Sequence, residues 1–178
     1  NTSLVKDIGG DVNRGIIVDD KMQTTVCDIY AAGDCSDGND ISIGQKRVLA
    51  ILPNAYIGGH CAGVNMAGGN SDFSNAVPMN SIGFFGLHSM TAGSYYTEEE
   101  GGELYEEKTD TGIKRLYMKD GILTGYIIIG DIARAGIYTS LVREKTPLDG
   151  INMDLLKKNP SLAIFSPEIS RKKVEGVI

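Results

Sequence analysis

The sequence contains no tryptophan, two histidines and three cysteines, and its formal net charge is −6. An odd number of cysteines without C-x-x-C spacing argues against a disulfide framework and favours a reducing, cytoplasmic location. A structural zinc site needs about four ligands at ordered spacing, so the isolated pair His60–Cys61 does not predict a metal site. The acidic balance argues against nucleic acid and membranes as partners, because both bind basic surfaces.

The chain also lacks an apolar run near the ~20 residues that a membrane span needs, and it has no signal-peptide pattern. It opens on Asn1 without a methionine, so we expect either processing or a piece of a longer protein. Its 178 residues suffice for one large domain or two small ones. The composition changes after the glycine-rich segment 67–70, which predicts a boundary between 1–72 and 73–178.

The segment 1–72 predicts alternating helices and strands. The predicted elements are a helix over 4–8, short strands over 15–19 and 28–32, a polar loop over 33–38 and a helix over 53–66. Pro53 marks the start of the last helix, because proline suits the first helical position. This helix contains Gly58, Gly59 and Gly63, which predict that another backbone or a ligand packs closely against it.

The segment 73–178 predicts an α+β domain with a mainly antiparallel sheet. The predicted elements are a strand over 80–93, an acidic turn and strand over 97–108, a hairpin over 111–131, helices over 132–145 and 153–159, and a basic tail over 171–178. Asp120–Gly121 is a strong two-residue hairpin signal, and Asp131 is predicted to cap the helix that follows. The apolar run 126–130 predicts a central strand covered on both faces.

The dipeptide Gly33–Asp34 follows the predicted strand 28–32, at the strand end where α/β folds place ligands. A carboxylate there can accept hydrogen bonds from sugar-like hydroxyls, and a glycine lets a ligand approach closely. The alternative is that Asp34 only caps a local turn. The spacing alone leaves both interpretations open.

Two longer stretches add a resemblance. The segment 24–35, TTVCDIYAAGDC, resembles the second flavin fingerprint of the pyridine nucleotide–disulfide oxidoreductases, T-S-x-P-x-I-Y-A-A-G-D. The segment 52–69 resembles the helix W-P-x-A-x-x-Q-G-x-x-A-G-x-N-M-A-G of the same family, with leucine in place of tryptophan and glycine in place of glutamine. The resemblance implies an FAD site in which Asp34 binds a ribityl hydroxyl, with further contacts from Thr24, Gly33, Leu52, Pro53 and Ala55.

The segments 84–93 and 114–145 resemble the C-terminal domain of the NADH–rubredoxin reductase and nitrite reductase flavin-module subgroup. The resemblance implies an oxidoreductase that passes electrons from NAD(P)H through FAD to an acceptor such as a rubredoxin- or ferredoxin-like protein. It implies no catalytic side chain here, because the flavin carries the redox chemistry. The sequence contains no G-x-G-x-x-G loop for either nucleotide, so the chain is expected to be a C-terminal piece of that enzyme.

Two alternatives stay open at this stage. The chain could be a non-catalytic docking module, with 80–178 forming an interface to a partner or to a second copy in a homo-oligomer. A third option is an NADH oxidase or a peroxide-reducing relative, whose reactive cysteine would lie outside this sequence.

Overall fold

The computed structural model describes residues 1–174 and divides into two compact units, Asn1–Pro78 and Met79–Ile178. Within the described part of the chain, no helix is both long and apolar enough to cross a bilayer. Each unit has its own sheet. The predicted fold class, an α/β portion followed by an α+β portion, is therefore confirmed.

The first unit is built on a three-stranded sheet of order β1-β2-β3. Its elements are α1 (Ser3–Lys6), β1 (Ile16–Ile17), β2 (Ser36–Asp40), β3 (Gln45–Arg47) and α2 (Leu52–Met66). β1 and β2 are parallel, with Ile16 opposite Ser36, whereas β2 and β3 are antiparallel. The helix predicted over 53–66 is confirmed, with proline in its first turn.

The glycines of α2 differ in their surroundings. A Cβ on Gly58 would lie 3.0 Å from Met22 Sδ and 3.5 Å from Phe73 Cδ1, so this glycine does allow the helix to approach the core. For Gly59 and Gly63, by contrast, no atom outside the backbone of α2 itself lies within 4 Å of the Cβ position. Close packing is therefore confirmed at Gly58, where the neighbours are side chains, whereas at Gly59 and Gly63 the predicted contact with a ligand stays a prediction.

Two predictions for the first unit are wrong. The segment 28–32 is not a strand: Tyr30 makes only an isolated bridge to Gln23, and Asp28 has a φ of 61° that an extended strand does not allow. The strand lies instead at β2, which overlaps the stretch predicted as a polar loop over 36–38 and continues to Asp40. One of its buried polar side chains, Asp40, is stabilised by hydrogen bonds that its carboxylate accepts from Ser42 and Arg47.

The second unit contains a five-stranded antiparallel sheet of order β4-β5-β8-β7-β6. Its elements are β4 (Met79–Phe84), β5 (Leu87–Gly93), β6 (Glu103–Thr109), β7 (Gly112–Lys119), β8 (Ile122–Ile129), α3 (Gly136–Glu144), α4 (Met153–Lys158) and α5 (Pro167–Val174), with 3₁₀ turns at Glu98–Glu100, Leu148–Gly150 and Leu162–Ile164. The hairpin turn at Asp120–Gly121 is confirmed, since both residues have positive φ angles, 52° and 74°.

The central strand is β8, as predicted, but helix covers one of its faces. Tyr126 and Ile128 are buried on the side of α3, where the Tyr126 hydroxyl lies 2.6 Å from Thr139 Oγ1. The alternate residues Ile127 and Ile129 are half-buried. The expectation that both faces are covered is therefore wrong for this unit.

Three boundaries in the second unit differ from the predictions. The segment 80–93 contains two strands, not one, because the chain turns at Phe85–Gly86, where φ is 48° and 81°. The helix predicted from Asp131 begins at Gly136; the Asp131 carboxylate instead accepts a hydrogen bond from Ala133 N at 2.9 Å in a preceding turn. The predicted basic tail is helical as far as Val174, and 175–178 lie outside the described residues.

Candidate functional site

The loop over 33–35, called the Gly33 loop below, meets the first turn of α2. Gly33 has a φ of 83°, and a Cβ on it would lie 3.6 Å from the Cβ of Ala55. The loop is fixed from the other side by Ser36, whose backbone N and Oγ both donate to the Gly33 carbonyl, at 2.9 and 2.7 Å. The tight turn therefore places the two sequence motifs side by side.

The beginning of α2 is uncapped by side chains. Its N-cap residue Ile51 is extended and makes no side-chain cap hydrogen bond. The first N–H groups of a helix have no intrahelical acceptor, and together they carry a partial positive charge. Pro53, in the first turn, has no N–H to satisfy. This end of α2 is therefore suited to oxygen atoms or negative charge.

A small cavity of about 30 Å³ lies between β2, the Gly33 loop and the first turn of α2. Its lining includes Gly33, Ser36, Arg47, Asn54 and Ala55. Such a volume holds about one water-sized group. The cavity is thus a place for a single polar group, not for a whole ligand.

Asn54 is a buried polar residue of this cavity, with 6% of its surface exposed. Its Nδ2 donates to the Val77 carbonyl at 3.0 Å. Its Oδ1 is buried and has no hydrogen-bond partner among the described residues. Buried side-chain oxygens are rarely left without a donor, so Oδ1 is a candidate acceptor for a water or for a group of a ligand.

The charges around the cavity are largely compensated. The fully buried carboxylate of Asp40 accepts from Arg47 Nε at 2.6 Å and from the backbone N of Ser42 at 2.8 Å. Because Arg47 is paired, the cavity favours a neutral hydrogen-bonding group over an anion.

Elsewhere in the unit, partial burial raises the pKa of Asp20, with repulsion from Asp72 adding to the effect and Lys46 opposing it.

Among the predicted site residues, Gly33 and Ala55 line the cavity together. Asp34 follows directly and is exposed, and its carboxylate has no hydrogen bond or ion pair within residues 1–174, which leaves both oxygens available to a ligand. Leu52 and Pro53 are exposed on the first turn of α2, Leu52 by 83%. Their predicted cofactor contacts stay predictions.

Thr24 lies apart from the cavity lining. Its Oγ1 lies 3.1 Å from both the carbonyl oxygen and the backbone N of Val26, and its own N–H donates to the Ile29 carbonyl at 2.8 Å. These bonds hold the turn that leads the chain to Tyr30. The geometry gives Thr24 a role in shaping the motif, and its cofactor contact stays a prediction.

Asn54 was not among the residues that the sequence singled out. It stands four residues before Gly58, and α2 buries Asn54, Gly58, Cys61 and Ala62 on one face. The i, i+4 spacing to Gly58 was a usable signal, since it places an amide on the buried side of the helix.

The comparisons with known proteins all identify similar oxidoreductases. The sequence profile of the family described as pyridine nucleotide-disulphide oxidoreductase matches residues 1–59. Over 140 residues the chain is 39% identical to the epsilon subunit of NADH-dependent phenylglyoxylate dehydrogenase from Aromatoleum evansii, covering 76% of this chain and 33% of that protein. Over 160 residues it is 24% identical to the NADH-rubredoxin oxidoreductase of Clostridium acetobutylicum, covering 89% of this chain and 40% of that protein.

The fold comparison extends over nearly the whole chain. The crystal structure of an FAD-dependent pyridine nucleotide-disulphide oxidoreductase from Desulfovibrio vulgaris superimposes with a TM-score of 0.73 at 20% identity. The match covers 96% of this chain and 46% of that one. The chain therefore spans less than half the length of these similar proteins.

Proposed function

Because the chain belongs to the pyridine nucleotide–disulphide oxidoreductase family, we propose that it is the C-terminal part of an FAD-dependent NAD(P)H oxidoreductase. The family resemblance that segments 24–35 and 52–69 predicted is confirmed by the profile match and by the relatives. In the proposed enzyme, electrons pass from NAD(P)H through FAD to an acceptor. A small redox protein of the rubredoxin or ferredoxin kind is the proposed acceptor, and the cytoplasm the proposed location.

The observation that carries the proposal is the meeting of Gly33–Asp34 with the first turn of α2. The residues present suit a chain of hydroxyl groups: an unpaired carboxylate at Asp34, a side-chain-free position at Gly33 and the buried, unpartnered oxygen of Asn54. These features support an FAD site better than a turn without a ligand, because such a turn would not require a buried oxygen that lacks a hydrogen-bond donor.

We assign each residue of the proposed site a task. Asp34 accepts hydrogen bonds from the ribityl chain, and Gly33, which has no side chain, lets that chain approach the backbone. Leu52, Pro53 and Ala55 present the first turn of α2, whose partial positive charge stabilises negative charge on the cofactor. Thr24 holds the loop in shape. FAD, when bound, supplies the hydride-accepting and electron-donating chemistry.

The domain assignment follows from the same proposal. Residues 1–72 would complete the NAD-binding and FAD-binding domains, and 73–178 would form a docking or dimerisation domain. A docking role for the second unit has support of its own, because Ile82, Phe84, Phe85 and Leu87 on the β4–β5 hairpin are 50–95% exposed. Exposed apolar clusters of this kind are typical of interaction surfaces.

We expect the full-length parent to purify yellow and the 178-residue chain to purify colourless and inactive toward NADH. The reason is that the chain contributes one side of the FAD site and its sequence contains no G-x-G-x-x-G loop. The measurement is the visible absorbance of both proteins, followed by anaerobic titration of the parent with NADH and with NADPH. A parent without flavin, or one whose flavin neither nucleotide reduces, would contradict the proposed function.

A further inference from the structure

The amide of Asn54 makes one hydrogen bond, although it has two N–H donors and an oxygen that can accept two. Nδ2 donates to the Val77 carbonyl at 3.0 Å. The acceptor side, Oδ1, is buried without a partner among the described residues, on a residue that is 6% exposed. An amide oxygen removed from water costs free energy unless a donor replaces the lost water. A hydrogen-bond donor next to Oδ1 would therefore lower the free energy of the folded protein.

The cavity restricts what that donor can be. Its volume of about 30 Å³ admits one water-sized group. Arg47 lines the same cavity, and its guanidinium is paired with the buried Asp40 carboxylate, so the cavity offers no uncompensated charge to an ionic group. A hydroxyl fits in size and in neutrality, since it can donate to Oδ1 and accept from another group.

The cavity also adjoins the two elements that frame the proposed FAD site. Gly33 and Ala55 line it together with Asn54. Asn54 occupies the first turn of α2, a helix of 15 residues whose first N–H groups have neither an intrahelical acceptor nor a side-chain cap. A hydroxyl held here would connect the Gly33 loop with the helix.

We propose that Asn54 is a further residue of the flavin site, whose Oδ1 accepts a hydrogen bond from a hydroxyl in this cavity. The inference rests on the proposed function. The hydroxyl comes either from the ribityl chain of FAD or from an ordered water that joins the Gly33 loop to α2. The bond from Nδ2 to the Val77 carbonyl fixes the orientation of the amide, which leaves Oδ1 as the acceptor for this hydroxyl.

The test compares three variants of the full-length parent by equilibrium binding of FAD and by the visible spectrum of the bound flavin. Asn54→Leu has nearly the same shape but no hydrogen-bonding group, and we expect FAD binding to weaken roughly tenfold, as for one lost hydrogen bond. Asn54→Asp keeps the acceptor oxygen and is expected to bind FAD more tightly than Asn54→Leu. Should Asn54→Leu fail to fold, Asn54→Ser and Asn54→Ala give the same comparison.

The matched control is Asn65→Leu, at the other end of α2. The Asn65 amide is fully used, with Nδ2 donating to the Lys21 and Ser71 carbonyls and Oδ1 accepting from Ser71 N at 2.8 Å. Its loss should lower thermal stability and leave FAD affinity unchanged. If Asn54→Leu binds FAD within twofold of Asn65→Leu and has the same flavin spectrum, the inference is overturned.

Reconstitution of the apoprotein with deoxyribityl analogues of FAD separates the two sources of the hydroxyl. If the donor belongs to FAD, one analogue abolishes the difference between the wild type and Asn54→Leu. If the donor is water, the difference persists with every analogue, and Asn54→Leu also lowers the melting temperature of the apoprotein. A parent that binds no FAD would refute the proposed function, whereas normal FAD binding that is sensitive to Asp34 but not to Asn54 would refute this inference alone.

Discussion

Replacing Gly93 by alanine is expected to destabilise the second unit by about 3 kcal/mol. Gly93 ends β5 with a φ of 78°, opposite Gly125 of β8. A Cβ there would overlap the carbonyl oxygen of Thr124 and lie 2.9 Å from Val142 Cγ1 of α3. The substitution therefore adds an unfavourable backbone conformation to a steric clash with both the central strand and the helix that covers it.

Gly136→Ala is the matched control, because the Cβ position of Gly136 has no atom within 4 Å and its φ is not positive. Alanine at the start of α3 should leave stability unchanged or raise it slightly. Urea denaturation of the chain, followed by far-ultraviolet circular dichroism, gives the free energy of unfolding for both. A Gly93→Ala variant as stable as Gly136→Ala would show that β5 and β8 are not packed as described.

Replacing Asp34 by alanine in the full-length parent is expected to weaken FAD binding by about 2 kcal/mol, the value of a charge-assisted hydrogen bond. This corresponds to a roughly 30-fold higher dissociation constant. The carboxylate is exposed and has no partner within residues 1–174, so its removal should not change the stability of the apoprotein. The loss should therefore be confined to the holoprotein, measured by titrating apoprotein with FAD.

Two further variants control this experiment. Asp34→Asn keeps an acceptor oxygen without the charge and should fall between the wild type and alanine. Asp7→Ala removes an exposed carboxylate just after α1, away from the cavity lining, and should bind FAD as the wild type does. Equal FAD affinity for Asp34→Ala and Asp7→Ala would remove Asp34 from the proposed site.

The sequence predicted those elements whose signals are local. Proline at the start of α2 and the Asp120–Gly121 turn act through their own backbone preferences, so both were recognisable without tertiary information. The turn at Phe85–Gly86 was missed because a phenylalanine with a φ of 48° contradicts its own preference. Its ring is 95% exposed, which fits the proposed docking role of the hairpin.

The strand β2 was missed for a different reason. Its sequence, SDGND, has low strand propensity. It becomes a strand because it pairs with β1 and because buried Asp40 is neutralised by Arg47, seven residues away. Such compensation depends on the folded arrangement, which periodicity does not reveal.

The candidate site, too, could be predicted from the sequence only in part. The motif resemblance pointed to Gly33 and Ala55, which the structure brings together across the small cavity. It did not point to Asn54, because the orientation of that amide is set by Val77, 23 residues later. Whether a buried polar atom has a hydrogen-bond partner depends on the folded arrangement. The unpartnered Oδ1 of Asn54 was therefore recognisable only in the structure.

The central claim is that the Gly33 loop and the first turn of α2 form part of an FAD site. Amide hydrogen exchange of the full-length parent, compared with and without FAD, tests it most directly. We predict that FAD slows exchange over 33–38 and 51–56, while β6 and β7 of the second unit exchange at unchanged rates. If FAD leaves the exchange rates of both 33–38 and 51–56 unchanged, the account is contradicted.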